Sequence, residues 1–118
     1  MDKPQLTPAQ QAQLDRLVEG LKMDAYDDYH VRPIDDSKDS GLHAQGWQGR
    51  FMMLSGHVRL EIFGQTFHYA ENEAYQVLPD TSHREVFGPG PNVLVIARKY
   101  TGKPLPEVNA DFTVVPLR

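Results

Sequence analysis

Hydrophobic residues recur along this chain in two rhythms, and the change from one to the other divides it. Near the N-terminus Leu14, Leu17, Val18 and Leu21 stand three or four residues apart, the spacing of one apolar stripe on an α-helix. Thr7, Pro8 and Gln10 make its start: a threonine to cap, a proline at the first helical position and a glutamine placed to close a capping box. The pattern predicts a helix over 7–22 that packs on the outside of a sheet or across to a second subunit. After Gly49 the period becomes two, with Val58, Leu60 and Ile62 alternating with His57, Arg59 and Glu61. Gly64 and Gln65 then read as a hairpin turn into a strand over 66–70. Further strands are expected over 74–78, 83–87 and 92–100, the last two separated by the turn residues Gly88, Pro89, Gly90 and Pro91. A final short strand is expected over 113–115. One helix followed by short, evenly spaced strands predicts an all-β sandwich or barrel.

Two stretches fit neither rhythm. Between Asp24 and Asp39 aspartates outnumber apolar residues, and Pro33 interrupts whatever Tyr29 to Val31 begins. The expectation is a solvated connection with one short edge strand, since the acidic spacing and central glycine of a calcium loop are missing. From Ile34 to Gly49 no periodicity is visible. Loops of that length in a small domain tend to be functional or disordered, and His43 and Trp47 in this one favour function.

Composition narrows the chemistry. A length of 118 residues suits a single compact domain with one core, expected over 1–118 with its barrel over 43–100. The absence of cysteine removes disulfides and sulfur-built zinc sites, leaving histidines and carboxylates as the strong metal donors. A net charge of -4 without a basic stripe argues against a nucleic-acid partner. With no long apolar run and a polar start from Met1 to Gln13, no membrane association is expected and the protein is placed in the cytoplasm.

His83 is the most informative single residue. A strand ends at Leu78, Pro79 leads a turn, and His83 re-enters a strand that runs to Phe87. An imidazole held there, at the mouth of a sheet, can bind a metal, move a proton or hydrogen-bond a ligand.

The run from Phe51 to Gly64, followed by a strand, Pro79 and His83, resembles the small single-domain cupins of the RmlC-like type, whose fold is a jelly roll. The resemblance covers roughly 43–99 and implies a double-stranded β-helix, to which the pattern adds one N-terminal helix. Laying the first cupin motif on the chain from Gly56 puts His43 at the first ligand histidine, Gln45 at the second and Gly49 at the glutamate. In the second motif Glu73 takes the place of the glycine, Pro79 and His83 match, and Phe87 takes the place of the asparagine. The resemblance thus implies a first motif that has lost two of its usual ligands.

His43 and His83, with Gln45 as an amide donor, form the expected metal set, and Glu85, two residues beyond His83 on the same strand face, is a further carboxylate. Trp47, Phe51 and Met53 share the parity of His43 and Gln45, and Phe87 joins from the second motif. Together they describe a mostly apolar pocket with a few polar groups. His30, His57 and His68 are assigned to the surface or rim. The preferred reading is a binding module for a small organic molecule. The alternative is an enzyme of oxygenase or isomerase type, holding one divalent nickel, zinc or iron ion on His43 and His83 with Gln45 or Glu85. A merely packed barrel of structural role would show neither activity. The open sheet edges of a jelly roll and the apolar helix stripe point to a homodimer.

Overall fold

The computed structural model describes residues 5–118. Helix α1 (Pro8–Met23) starts at the predicted box: Gln10 N–H donates to Thr7 Oγ1 at 3.1 Å and Thr7 N–H donates to Gln10 Oε1 at 2.8 Å. Eight strands follow: β1 (Asp28–Ile34), β2 (Gln48–Ser55), β3 (Val58–Ile62), β4 (Gln65–Tyr69), β5 (Ala74–Val77), β6 (His83–Phe87), β7 (Asn92–Lys99) and β8 (Val115–Pro116). They form a five-stranded sheet of order β5-β2-β7-β1-β8 and a three-stranded sheet of order β4-β3-β6, with antiparallel pairing throughout.

Alternation along the strands decides which residues enter the barrel. Phe51 and Met53 of β2, Leu94 and Ile96 of β7, and Tyr75 and Val77 of β5 meet Val58, Leu60, Ile62 and Phe87 from the smaller sheet in one buried cluster. The residues between them face outward. Met52, Leu54 and Val95 are covered by Leu14, Leu17 and Val18, and Ala97 lies with Leu21 and Tyr26. Helix α1 therefore spends its whole apolar stripe on the outer face of its own larger sheet. Removing both apolar surfaces from water is what holds it there.

Several expectations change. The segment after Asp24 holds no short edge strand: β1 pairs with β7 along all seven of its residues and with β8 at Asp28 and Tyr29. Pro33 is accommodated beyond the reach of β8, where one side of β1 has no partner strand to miss its N–H. The hairpin turn lies one residue earlier than expected, at Phe63 and Gly64, whose φ values of 56° and 70° are those of a type I′ turn. The last strand is Val115–Pro116 rather than 113–115.

Candidate functional site

The aperiodic stretch after Ile34 is ordered by β6. Phe87 N–H donates to the Lys38 carbonyl at 2.8 Å, Ser40 N–H to the Glu85 carbonyl at 2.9 Å, and His43 and His83 exchange both backbone bonds at 2.9 Å. On the other side of the turn, Asp80 N–H donates to the Gln45 carbonyl at 2.7 Å. Residues 38–43 thus lie antiparallel along the edge of β6, and this alignment delivers His43 to His83.

Both imidazoles are oriented through one nitrogen. His83 Nδ1 lies 2.9 Å from the Thr81 carbonyl and His43 Nδ1 lies 3.0 Å from the Gly41 carbonyl. A carbonyl can only accept, so Nδ1 carries a proton in each ring, and in the neutral form Nε2 presents a lone pair. The two Nε2 atoms point at the same group: Glu85 Oε1 is 3.2 Å from that of His83 and 3.4 Å from that of His43. His83 Nε2 is buried and, being off the hydrogen-bond direction, has no hydrogen-bond partner. Glu85 is held from behind, because Tyr75 O–H donates to Oε2 at 2.6 Å.

With both rings neutral, three acceptors converge here. Burial pulls His83 toward the neutral form, but the Glu85 carboxylate and the Thr81 carbonyl outweigh it and raise its pKa. Burial pushes Glu85 up, yet His83 and the Tyr75 hydroxyl hold it below the ordinary carboxylate range. Tyr75 is pushed well up by burial and by Glu85, and so keeps its proton. The field at this point favours a cation. One donor atom from each of His43, His83 and Glu85 lies within 4.8 Å of the others. Ligands bonded at about 2.0 to 2.2 Å to one ion stand roughly 3 to 3.5 Å apart, and the two distances from Glu85 Oε1, 3.2 and 3.4 Å, are of that order for a divalent metal with nitrogen and oxygen donors.

The group opens on a cavity of about 410 Å³. His43, Gln45, Trp47, Phe51, Glu85 and Phe87 all line it. His83 is fully buried behind them, and Met53, also fully buried, belongs to the packed core rather than to the wall. Gln45 presents a buried Nε2 without a partner. At Gly49, where the resemblance places a glutamate, an added Cβ would lie 2.5 Å from the Phe51 ring and 2.9 Å from that of Trp47. Aromatic rings fill the space a ligand there would need, and the nearby carboxylate comes from β6 instead.

The assignment of His30 to the rim is corrected. His30 is only 2% exposed, lines the same cavity, and has no partner for either ring nitrogen. Arg32 and Ile34, at the same parity of β1, line it too, as does Arg98 of β7. Arg98 is neutralised by Asp28 through bonds of 2.9 and 2.8 Å. The period-2 run Asp28, His30, Arg32, Ile34 was the available signal, masked by Pro33 and the surrounding aspartates. His57 and His68 are exposed, as expected.

No family model matches the sequence, and no curated protein matches it. Solved structures do. A cupin-2 domain containing protein from Shewanella frigidimarina superposes with a TM-score of 0.52 at 12% identity, over 61% of this chain and 71% of that one. A cupin protein from Bacteroides fragilis gives 0.53 at 13% identity, over 70% and 73%. The polyketide cyclase RemF from Streptomyces resistomycificus gives 0.51 at 20% identity, over 64% of this chain and 57% of that chain. With its two antiparallel sheets closed around one core, a single N-terminal helix outside them and these neighbours in structure, the chain is a small jelly roll of the cupin fold.

Proposed function

We propose that this protein is a metal-dependent enzyme acting on a small organic molecule, with His43, His83 and Glu85 holding one divalent ion at the edge of the cavity. One observation carries the reading: the Nε2 atoms of His43 and His83 lie 3.4 and 3.2 Å from a single carboxylate oxygen, Glu85 Oε1, while Nδ1 of each ring is turned to a backbone carbonyl. When bound there, a divalent ion such as nickel, zinc or iron supplies a Lewis acid for a substrate oxygen. The chain's own residues do the rest. The Gly41 and Thr81 carbonyls fix the two ring orientations, as partners of a ligand's second nitrogen generally do. Tyr75 keeps Glu85 ionised and aimed, while Trp47, Phe51 and Phe87 offer apolar walls that exclude water from the organic part of a substrate.

Elemental analysis of untreated protein tests this. Stoichiometric metal that is lost in both His83→Ala and Glu85→Gln is the expected result. Metal bound equally well by the parent and by both variants would refute the assignment.

A binding module without metal is the second reading, favoured by the aromatic filling at Gly49, which closes the place of a further carboxylate donor. It predicts no metal, and a ligand that raises the melting temperature by mass action.

A further inference from the structure

The His43, His83 and Glu85 group leaves the cations of β1 unexplained. Arg32 lines the cavity, its Nε is buried without a hydrogen-bond partner, and no carboxylate of the described residues forms an ion pair with it. Its guanidinium carbon stands 4.4 Å from the centre of the Phe112 ring, a contact that steadies the planar fork without neutralising it. Two residues back, His30 is 2% exposed with both nitrogens unbonded. Of the other charges on the wall, Arg98 is already satisfied by Asp28 and by the Pro106 carbonyl, Lys38 is exposed and makes no ion pair with the described residues, and Glu107 is an exposed carboxylate. Leaving a buried polar atom unmatched is costly, so the imidazole of His30 and the Nε of the partly buried Arg32, side by side on one strand face, call for a partner. Burial lowers the pKa of Arg32, as an uncompensated cation requires. Burial, helped by Arg32 and Arg98, lowers that of His30 to about 4, so His30 is a neutral hydrogen-bonding group at neutral pH.

We propose that the cavity takes an organic carboxylate with an apolar body, its carboxylate gripped by Arg32 and hydrogen-bonded by His30, and its body lying along Trp47 and Phe51 toward Glu85. The planar fork of a guanidinium matches a carboxylate edge to edge. A phosphate dianion would ask for a second free cation inside, where among the described residues Arg32 is the one partly buried cation without an ion pair. The inference rests on the cavity being the substrate site, but not on the metal.

The test uses butyrate, hexanoate and phenylacetate, each beside its primary amide, with Trp47 emission and melting temperature as readouts. Metal content is measured on the same samples, before and after chelation. At least one carboxylate is expected to shift both readouts, with its amide weaker by about tenfold or more, the worth of one charge-assisted contact. Arg32→Leu should abolish the preference for the carboxylate, Arg32→Lys should keep part of it, and both should keep the parent's metal content and circular dichroism. Failure of every carboxylate, equal binding of the amides, or full carboxylate binding by folded Arg32→Leu overturns the proposal. Binding lost on chelation yet intact in Arg32→Leu also overturns it, since the anion would then sit on the metal. Absence of metal in the parent, with the Arg32 dependence intact, would refute the proposed metal enzyme and leave this inference standing.

Discussion

His43 and His83 form a hydrogen-bonded antiparallel pair, exchanging N–H to carbonyl bonds of 2.9 Å in both directions, and their ring centres consequently stand 4.3 Å apart. Residues directly opposite in such a pair project to the same face. Glu85, two residues further along β6, projects to that face as well and brings its carboxylate between the rings. The site is therefore a property of one strand edge and the segment laid against it.

Tyr75 is the support that this arrangement leans on. Tyr75→Phe removes the donor to Glu85 Oε2 while keeping the ring in its stack with Phe51. The expected outcome is a folded protein whose metal affinity falls by about 10- to 100-fold, as loss of a ligand's supporting bond generally does. Competition with a chromogenic chelator measures it, and an unchanged affinity would show that Glu85 needs no such support.

Restoring the lost cupin donors by Gln45→His with Gly49→Glu should fail for a steric reason. A Cβ at Gly49 has the Phe51 ring at 2.5 Å, so Gly49→Ala alone should cost about 1 to 3 kcal/mol through overpacking. Shortening Phe51 to Leu in the same chain should recover part of that loss. Urea unfolding of the single and double variants supplies the comparison.

His30 should leave a mark on stability against pH. Its folded pKa of about 4 lies below its ordinary 6.5, with burial the main cause, Arg32 and Arg98 adding to it and Asp28 opposing. Between those values the unfolded chain binds the proton and the folded chain does not, so stability rises with pH there. The contribution is complete above about pH 6.5 and is lost as pH falls through 4, amounting to a few kcal/mol at roughly 1.4 kcal/mol per tenfold change in proton affinity. His30→Leu should flatten this part of the profile. An identical slope in parent and variant would contradict the neutral, buried state of the ring.

Breaking the buried pair beneath the cavity should be costly. Asp28→Asn leaves the Arg98 guanidinium, 5% exposed, without its counter-charge, and a loss of about 3 to 5 kcal/mol is expected. Thermal unfolding will register it. A replacement of both partners by apolar residues should cost less than the single change.

A homodimer is expected through the sheet edges rather than the helix. The stripe of α1 is already buried on its own sheet, whereas β4 is bonded on one side only and is exposed along nearly all its length. Light scattering should give twice 13.4 kDa, and a mass of 13.4 kDa at working concentration would count against association.

Local pattern was enough for the helix, for β3 to β7 and for the jelly-roll resemblance, because a capping box, an apolar stripe and a period of two are properties of neighbouring residues. His83 at the end of the Pro79 turn was legible for the same reason. The strand character of β1 was not, since Pro33 and the flanking aspartates read as a break until β7 supplies a partner along its full length. With that strand went His30 and Arg32, taken for rim or linker though both face the cavity. The sequence offered Glu85 beside Gln45 as a donor to join His43 and His83, and it is the fold that brings Glu85 to both rings. Residues 38–43 have no repeating pattern of their own, and only their backbone bonds to β6 determine which side chains face one another. Periodicity records which face of an element is apolar; register between distant segments, and so the place where lone pairs and charges converge, is decided by the tertiary fold.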